Sequence, residues 1–323
     1  MKAIVHSEFG SPDVLELKDI DKPVVKDDEV LVRVHAAAVN PPDWAGVHGV
    51  PYIVRLAFGL RTPKLGVRGT DVAGTVDSVG KNVTRLKVGD EVFGAGRGTF
   101  AEYAVAAEDH LVPKPARITF EQAAAVPMAG LTALQALRDA GGIQSGQKVL
   151  IVGAGGGIGT FAVQIAKSFG AEVTGVCGTS KLELVRSIGA DHVIDYTQED
   201  FTRGGARYDL ILDNVLQHPL SRLLRALNRG GTLVPNGGQF YKRWIASTGV
   251  LLIRAPLLSL FVPQRIRVCS ERPLKKDLLA LNELVESGKL TPVVGRTYPL
   301  SRTREAITYF GEGHARGKVV VTV

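Results

Sequence analysis

The segment "VLIVGAGGGIGTFAVQIAKSFG", residues 149 to 170, restricts the possible folds of this chain more than any other. Val149 to Val152 is a short apolar run with strand character. Gly153 opens a glycine-rich turn that runs to Gly159. Beyond it Ile158, Phe161, Ala162, Ile165, Ala166 and Phe169 recur at helical spacing, and Gly170 is a natural stop. Within the turn, Ala154-x-Gly156-x-x-Gly159 is a GxGxxG fingerprint with alanine in first place. Small residues at Ala154 and Gly156 let the backbone approach a pyrophosphate. Gly159 lets helix and strand pack, and the helix start at Gly157 and Ile158 offers N–H groups to phosphate. A tight turn with no ligand could use the same glycines. A strand before it, an amphipathic helix after it, and a second strand and helix at βαβ distance favour a dinucleotide site.

The surrounding sequence changes texture twice. The first third holds short Val-rich runs such as "EVLVRVHAAAV", "DVAGTVDSVG", "DEVFGAG" and "FAEYAVA", separated by turn residues. From Phe120, "FEQAAAVPMAGLTALQALRDAG" predicts helix with a break near Pro127. Strands and helices then alternate: "KVLIVG", the helix after the fingerprint, "EVTGVC", "KLELVRSIG", "HVIDY", "YDLILDNV", the helix "LSRLLRALNRG" and the strand "GTLVPNGG". That alternation predicts an α/β fold with a doubly wound parallel sheet. The tail holds an amphipathic helix, "LKKDLLALNELVESGKL", and a closing strand, "KVVVTV". The simplest organisation is a β-rich domain over 1–122 and 266–323, interrupted by a dinucleotide-binding domain over 123–265.

A length of 323 residues suits two domains, and 45% hydrophobic residues can fill two cores. The most apolar stretch, Gly249 to Val262, is cut by Arg254 and Pro256 and is too short to span a bilayer. The N-terminus has no apolar signal core, so the cytoplasm is the expected compartment. Two cysteines, Cys177 and Cys269, exclude a disulfide framework and a Cys-rich structural zinc site. The net charge of +7 comes without long basic runs and with only 6% aromatics. It reads as a solvated basic surface that attracts an anionic cofactor, and nucleic acid is a disfavoured partner.

The second strand of the alternating region decides the cofactor. An NAD site places Asp or Glu at its end for the ribose 2′-OH. Here "VTGVCGTSK" ends in Gly178, Thr179, Ser180 and Lys181, with no acid. Ser180 can donate to a 2′-phosphate and Lys181 can pair with it, so NADPH is expected. Tyr196 ends "HVIDY", where it could lie over the adenine or simply finish a strand. No HExxH and no GxSxG is present, and the cysteines and histidines show no zinc-ligand spacing. Hydride transfer to an electron-poor quinone or enone needs neither metal nor nucleophile, only positioning and stabilisation of a developing oxygen charge.

Taken together, the sequence resembles the zinc-free quinone oxidoreductase (zeta-crystallin-like) branch of the medium-chain dehydrogenase/reductase superfamily. The resemblance is carried by "VNPPDW" (39–44), "GTDVAGTVDSVGKNVTRLKVGDEVFG" (69–94), "GTFAEYAV" (98–105), "AAAVPMAGLTALQAL" (123–137), the fingerprint, "SIGADHVIDY" (187–196), "DNV" (213–215) and "GHARGKVVVTV" (313–323). It implies a GroES-like catalytic domain interrupted by a Rossmann domain, with the active site in the cleft. In zinc-dependent relatives a Cys ligand stands where "VNPPDW" does and Gly-His-Glu where Gly69 to Asp71 do. Asn40 and Asp71 cannot replace a thiolate and an imidazole, so no metal is expected. The resemblance implies that Asn40 and Asp43 sit beside nicotinamide and substrate. Thr132 and Asn214 would contact the cofactor, Gly237 and Gly238 would lie under the nicotinamide end, and Lys318 would reach towards the phosphates. One departure is Leu216, where the family commonly has Gly after "DNV". Tyr52 is the candidate proton donor to an enolate oxygen, or else it only lines the acceptor pocket together with Phe58 and the 240–262 segment. The family also implies a homodimer through sheet edges of the nucleotide domain.

Three functions follow in order of support. The first is an NADPH-dependent quinone or enone reductase. The second is an alcohol or aldehyde dehydrogenase, disfavoured because nothing polarises an isolated carbonyl. The third is a nucleotide-sensing or single-stranded nucleic-acid-binding protein without turnover.

Overall fold

Val30, Leu31, Val32, Val34 and Ala36 to Ala38 are all buried, and they make one long strand the hub of the first sheet. The structure is a computed structural model that describes residues 1–323 apart from 51, 53–54, 64–65, 237–261, 270–271 and 273; the side chains of 57 and 58 are also undescribed. The chain forms two units. One comprises Met1–Leu131, Pro273–Gly288 and Pro292–Val323; the other comprises Thr132–Arg272 and Lys289–Thr291.

Along the first unit run β1 (Lys2–Val5), β2 (Glu16–Asp19), β3 (Glu29–Ala38), α1 (Pro41–His48), α2 (Arg55–Phe58), β4 (Asp71–Val79), β5 (Glu91–Ala95), β6 (Tyr103–Ala107), β7 (Leu111–Pro113) and α3 (Phe120–Ala124). Helix α4 (Pro127–Gln135) follows and continues into a π-helical turn, Ala136–Ala140. Strand β3 pairs antiparallel with both β4 and β6, and β4 pairs with β5.

The second unit contains β8 (Lys148–Val152), α5 (Gly157–Ser168), β9 (Glu172–Cys177), α6 (Leu182–Ser187), β10 (His192–Asp195), β11 (Tyr208–Asp213), α7 (Leu220–Arg225), β12 (Leu227–Pro235) and β13 (Arg265–Ile266). Among the described residues its six strands are all parallel, in the order β10-β9-β8-β11-β12-β13. This is the doubly wound Rossmann order, in which the chain reverses direction between β8 and β11. Leu150, Val152, Val176, Ile211, Leu223 and Leu233 meet around Phe201 in a core that is almost fully excluded from water. Helix α7 is shorter than the sequence pattern predicts. It stops at Arg225, and Leu227 already pairs with Tyr208 as the first residue of β12. Leu227 is buried, so sheet packing prevails over the helical continuation of "LSRLLRALNRG".

The chain then supplies α8 (Lys275–Glu286), β14 (Val294–Pro299), α9 (Thr303–Gly311) and β15 (Lys318–Thr322) to the first unit. Strand β15 lies antiparallel to β3, so the C-terminus closes on the central strand of the N-terminal sheet. Among the described residues, no helix is long and apolar enough to cross a membrane.

Candidate active site

The glycine turn leaves β8 and enters α5. The N–H groups of Gly153 and Ala154 both donate to the carbonyl of Val176, 3.0 Å away, which ties the turn to the end of β9. Gly156 caps α5 in an extended conformation. The first-turn N–H groups of a helix have no intrahelical acceptor, so here they form a ready anion site on a buried amphipathic helix. Gly159 is required by close approach: a β-carbon there would stand 2.1 Å from the Gly153 carbonyl oxygen.

Of the residues expected at the 2′-phosphate and the adenine, Lys181 lies beside this turn and Tyr196 beside Gly178. The Lys181 side chain runs along Gly155, where an added β-carbon would be 2.8 Å from Lys181 Cδ. Tyr196 is 58% exposed, and its hydroxyl would lie 3.3 Å from a β-carbon on Gly178. Ser180 is exposed in the short 3-10 turn Thr179–Lys181. One acid that the sequence reading did not single out comes close. Asp195 ends β10 and accepts a 2.6 Å hydrogen bond from the Thr179 hydroxyl and others from Thr197. Hydrogen bonding from Thr179, the largest influence, holds its carboxyl below the usual range. Its oxygens are thus engaged by the neighbouring threonines.

At the sheet's switch point, Asn214 donates through Nδ2 to the Val152 carbonyl and accepts from Asn236 Nδ2 at 2.8 Å. Leu216 has φ of 55°, the left-handed region in which a side chain costs about 1–2 kcal/mol. That explains why glycine suits the position. The turn is held by Asp213, whose Oδ1 accepts from the N–H groups of Val215 and Leu216 at 2.9 and 3.0 Å. Asp213 is fully buried, and burial pushes its carboxyl up. Thr132 is buried in α4. Gly237 and Gly238 lie outside the described residues, as do the positions 240–261 expected to shape the acceptor pocket.

In the first unit, Asn40 and Asp43 are the cap of helix α1. The Asn40 N–H donates to Asp43 Oδ2 at 2.8 Å, with proline at the first helical position. This is a capping-box arrangement. Both residues are buried. Burial pushes the Asp43 carboxyl up to about 7; the Asn40 N–H opposes this, nearby Asp71 adds to it, and Lys318 and Arg68 oppose it. Arg68 is itself buried, donating to His6 Nε2 at 2.7 Å and to the Gly46 carbonyl at 3.0 Å.

Lys318 corrects the expectation that it reaches towards phosphates. Its ammonium is buried in the first unit, 2.5 Å from Asn40 Oδ1, 3.4 Å from the Val39 carbonyl and 3.5 Å from Asp71 Oδ2. The physical reason is charge: Asp71 is 1% exposed and needs a cationic neighbour. The Met128 N–H also donates to Asp71. This donor set does not fit zinc. It offers an amide and two carboxylates but no thiolate or imidazole, and it already contains an ammonium that would repel a second cation. Among the described residues, no group of three or more His, Cys, Asp and Glu could hold a metal ion.

Tyr52 is 71% exposed, with the Arg55 guanidinium 4.8 Å from its ring centre. No hydrogen bond joins it to Asn40 or Asp43 among the described residues.

Comparison with known proteins agrees with both folds. A family model described as alcohol dehydrogenase GroES-like domain matches residues 26–116, and one described as zinc-binding dehydrogenase matches 188–321. The NADPH-dependent alkenal/one oxidoreductase, chloroplastic, of Arabidopsis thaliana is 36% identical, covering 99% of this chain and 79% of its own length. The quinone oxidoreductase from Coxiella burnetii is similar in structure with a TM-score of 0.86 and 30% identity, covering 100% of this chain and 99% of that one. The Escherichia coli quinone oxidoreductase complexed with NADPH gives a TM-score of 0.83 at 26% identity, with 100% of both chains covered.

Proposed function

Because this chain belongs to the zinc-free quinone oxidoreductase branch of the medium-chain dehydrogenase/reductase superfamily, we propose that it is an NADPH-dependent reductase of quinones and α,β-unsaturated carbonyls. The observation that carries this reading is the buried cluster of Asn40, Asp43, Asp71 and Lys318, which supplies fixed hydrogen-bonding groups where a metal reaction would need ligands. NADPH, when bound, supplies the hydride. The acceptor must therefore be electron-poor before it arrives, as a quinone or conjugated enone is.

In this reading the chain's own residues do three things. The turn from Gly153 to Gly159 and the side chains of Ser180, Lys181 and Tyr196 bind the phosphate and adenosine parts of the cofactor. Thr132, Asn214, Gly237 and Gly238 serve its nicotinamide half. Asn40 and Asp43, held rigid by their mutual cap, position the acceptor, and Asp43 can hold or release a proton near neutral pH. For an enone, hydride reaches the β-carbon, negative charge collects on the carbonyl oxygen, and a proton completes the saturated carbonyl. The Tyr52 phenol is the proposed donor to that oxygen.

The test is a substrate panel with NADPH and NADH supplied separately. An ortho-quinone and a linear enone are reduced with NADPH, while ethanol is not oxidised at a comparable rate. Zinc-dependent ethanol oxidation would sink the mechanism. Tyr52→Phe slows enone reduction by about 10-fold or more but leaves ortho-quinone reduction nearly unchanged, because a reduced quinone can take protons from water. An unaltered enone rate removes the donor role only.

The same proposal includes a homodimer formed through sheet edges of the nucleotide unit, where the short strand β13 is an edge among the described residues. Light scattering that returns the 34.5 kDa mass of one chain contradicts it. The expected compartment is the cytoplasm, which cell fractionation checks.

A further inference from the structure

From Asn214 to Ser270 the sequence holds eight Lys and Arg residues and no Asp or Glu. Three of these arginines, Arg229, Arg265 and Arg267, line a cavity of about 180 Å³ within the second unit. The cavity lies where the strands of that sheet begin. Gln147, just before β8, and Asp209, the second residue of β11, are also in its wall. The glycine turn leaves the opposite end of β8, roughly 13 Å along the strand at about 3.3 Å per residue. The cavity is therefore a different place from the dinucleotide turn.

Two local features bring the arginines there. Along "RIR" the side chains alternate: Ile266 packs against the core around Phe201, while Arg265 and Arg267 are exposed. Arg267 prolongs the pairing of β13 by donating its N–H to the Leu233 carbonyl at 3.0 Å. In β12 the register jumps. Tyr208 faces Leu227 and Leu210 faces Thr232, so Asn228 to Gly231 bulge out opposite Asp209. The bulge carries Arg229 and turns at Gly230, whose φ is 81°. A β-carbon on Gly230 or on Gly142 would meet nothing within 4 Å, so the backbone is open to an occupant at both places. Asp209 is spent on the frame: Oδ2 accepts the Lys148 N–H at 2.9 Å and Oδ1 accepts from Asn228 Nδ2 at 2.8 Å. Among the described residues, the guanidinium groups of Arg229, Arg265 and Arg267 form no hydrogen bond and no ion pair.

We propose that this cavity is a second anion site, which takes the phosphate group of a small phosphate monoester. The charges match. Three arginines and one carboxylate leave two positive charges at the cavity, and a phosphate monoester carries about −1.5 to −2 near pH 7. The shapes match as well. The monoester offers three acceptor oxygens, and each guanidinium presents a planar fork of donors to them. A diester, with a single charge, answers only part of this set. The proposal does not depend on the reductase reading.

The experiment titrates 15N-labelled full-length protein, with NADPH added to fill the dinucleotide site. The probes are inorganic phosphate and glycerol 3-phosphate at constant ionic strength. The amide signals of Gly142, Gly230 and Gly231 shift and saturate with either probe, and chloride in its place does not move them. Arg229→Gln, Arg265→Gln and Arg267→Gln each weaken the binding about 10-fold, the loss of one charge-assisted hydrogen bond. Arg203→Gln removes an exposed arginine that is bonded to Asp200 outside the cavity, and it changes the affinity by no more than about 2-fold. NADPH affinity stays within about 2-fold in every variant. Should the glutamine variants fail to fold, saturation in the unsubstituted protein decides the matter. Shifts that never saturate, an equal loss in Arg203→Gln, or phosphate that displaces NADPH overturn the proposal. Vesicles containing phosphatidic acid and a single-stranded oligonucleotide are tested in parallel. Binding to either of these without saturation by glycerol 3-phosphate also overturns it, by showing a surface for a macromolecule or membrane.

Discussion

Lys181→Ala weakens NADPH binding about 10- to 100-fold and leaves NADH binding nearly unchanged. The range follows from one charge-assisted hydrogen bond, roughly 1.5–3 kcal/mol. The cause is local. Strand β9 ends at Cys177, and Gly178 stands where an acid for a ribose hydroxyl would be. Lys181 follows in the 3-10 turn, and its methylenes lie against Gly155 of the glycine turn. Asp195 is the competing influence, an exposed carboxylate bonded to Thr179. Fluorescence titration with each cofactor separates the cases. Equal losses for NADPH and NADH show that Lys181 serves the fold or the pyrophosphate rather than the 2′-phosphate.

Asp43→Asn makes the protein more stable relative to the unsubstituted chain as pH rises, by on the order of 4 kcal/mol between about pH 4 and 7. The sign follows from linkage. Asp43 titrates near 3.8 when unfolded and near 7 when folded, mainly through burial. The folded protein therefore binds this proton more tightly. Its stabilising contribution is complete below pH 4 and is lost as pH rises through 7. The amide introduced by the substitution can still accept the Asn40 N–H and does not titrate. Asp71, Lys318 and Arg68 face the same group and are present in both proteins, so the difference between the two isolates Asp43. Thermal midpoints are compared from pH 4 to 8. The two curves diverge up to about pH 7 and then run parallel. Curves parallel throughout contradict a raised Asp43.

How much of this is legible in the sequence depends on the range over which each feature is determined. The fingerprint, β8 and α5 lie within one stretch in which hydrophobic period and glycine placement agree, and the structure reproduces them closely. The sequence pattern overextends helix α7 because "ALNRG" favours a helix locally, while Leu227 is claimed by pairing with Tyr208. Helix α1 escapes the sequence reading although its signal is present: Asn40, Pro41 and Asp43 spell a cap, a first-turn proline and an N3 acid. Resemblance alone points to Asn40 and Asp43, and local chemistry could have added the helix. The partners of Lys318 have no such signal. Asn40 lies 278 positions away in sequence, and only the pairing of β15 with β3 brings the two together. Asp213 and Leu216 fall between these extremes. The departure at 216 is visible in the sequence, and its cause, a left-handed backbone held by the Asp213 carboxylate, is a feature of the folded turn.

In the proposed reaction the hydride goes to the β-carbon of an activated acceptor without metal assistance. NADPH carrying deuterium at both C4 positions of the nicotinamide, supplied to chelator-treated protein with a linear enone, tests this directly. The expected product is a saturated ketone with one deuterium on the former β-carbon, formed at the same rate as without chelator. Deuterium on the carbonyl carbon of an allylic alcohol, or activity that returns only with added zinc, contradicts it.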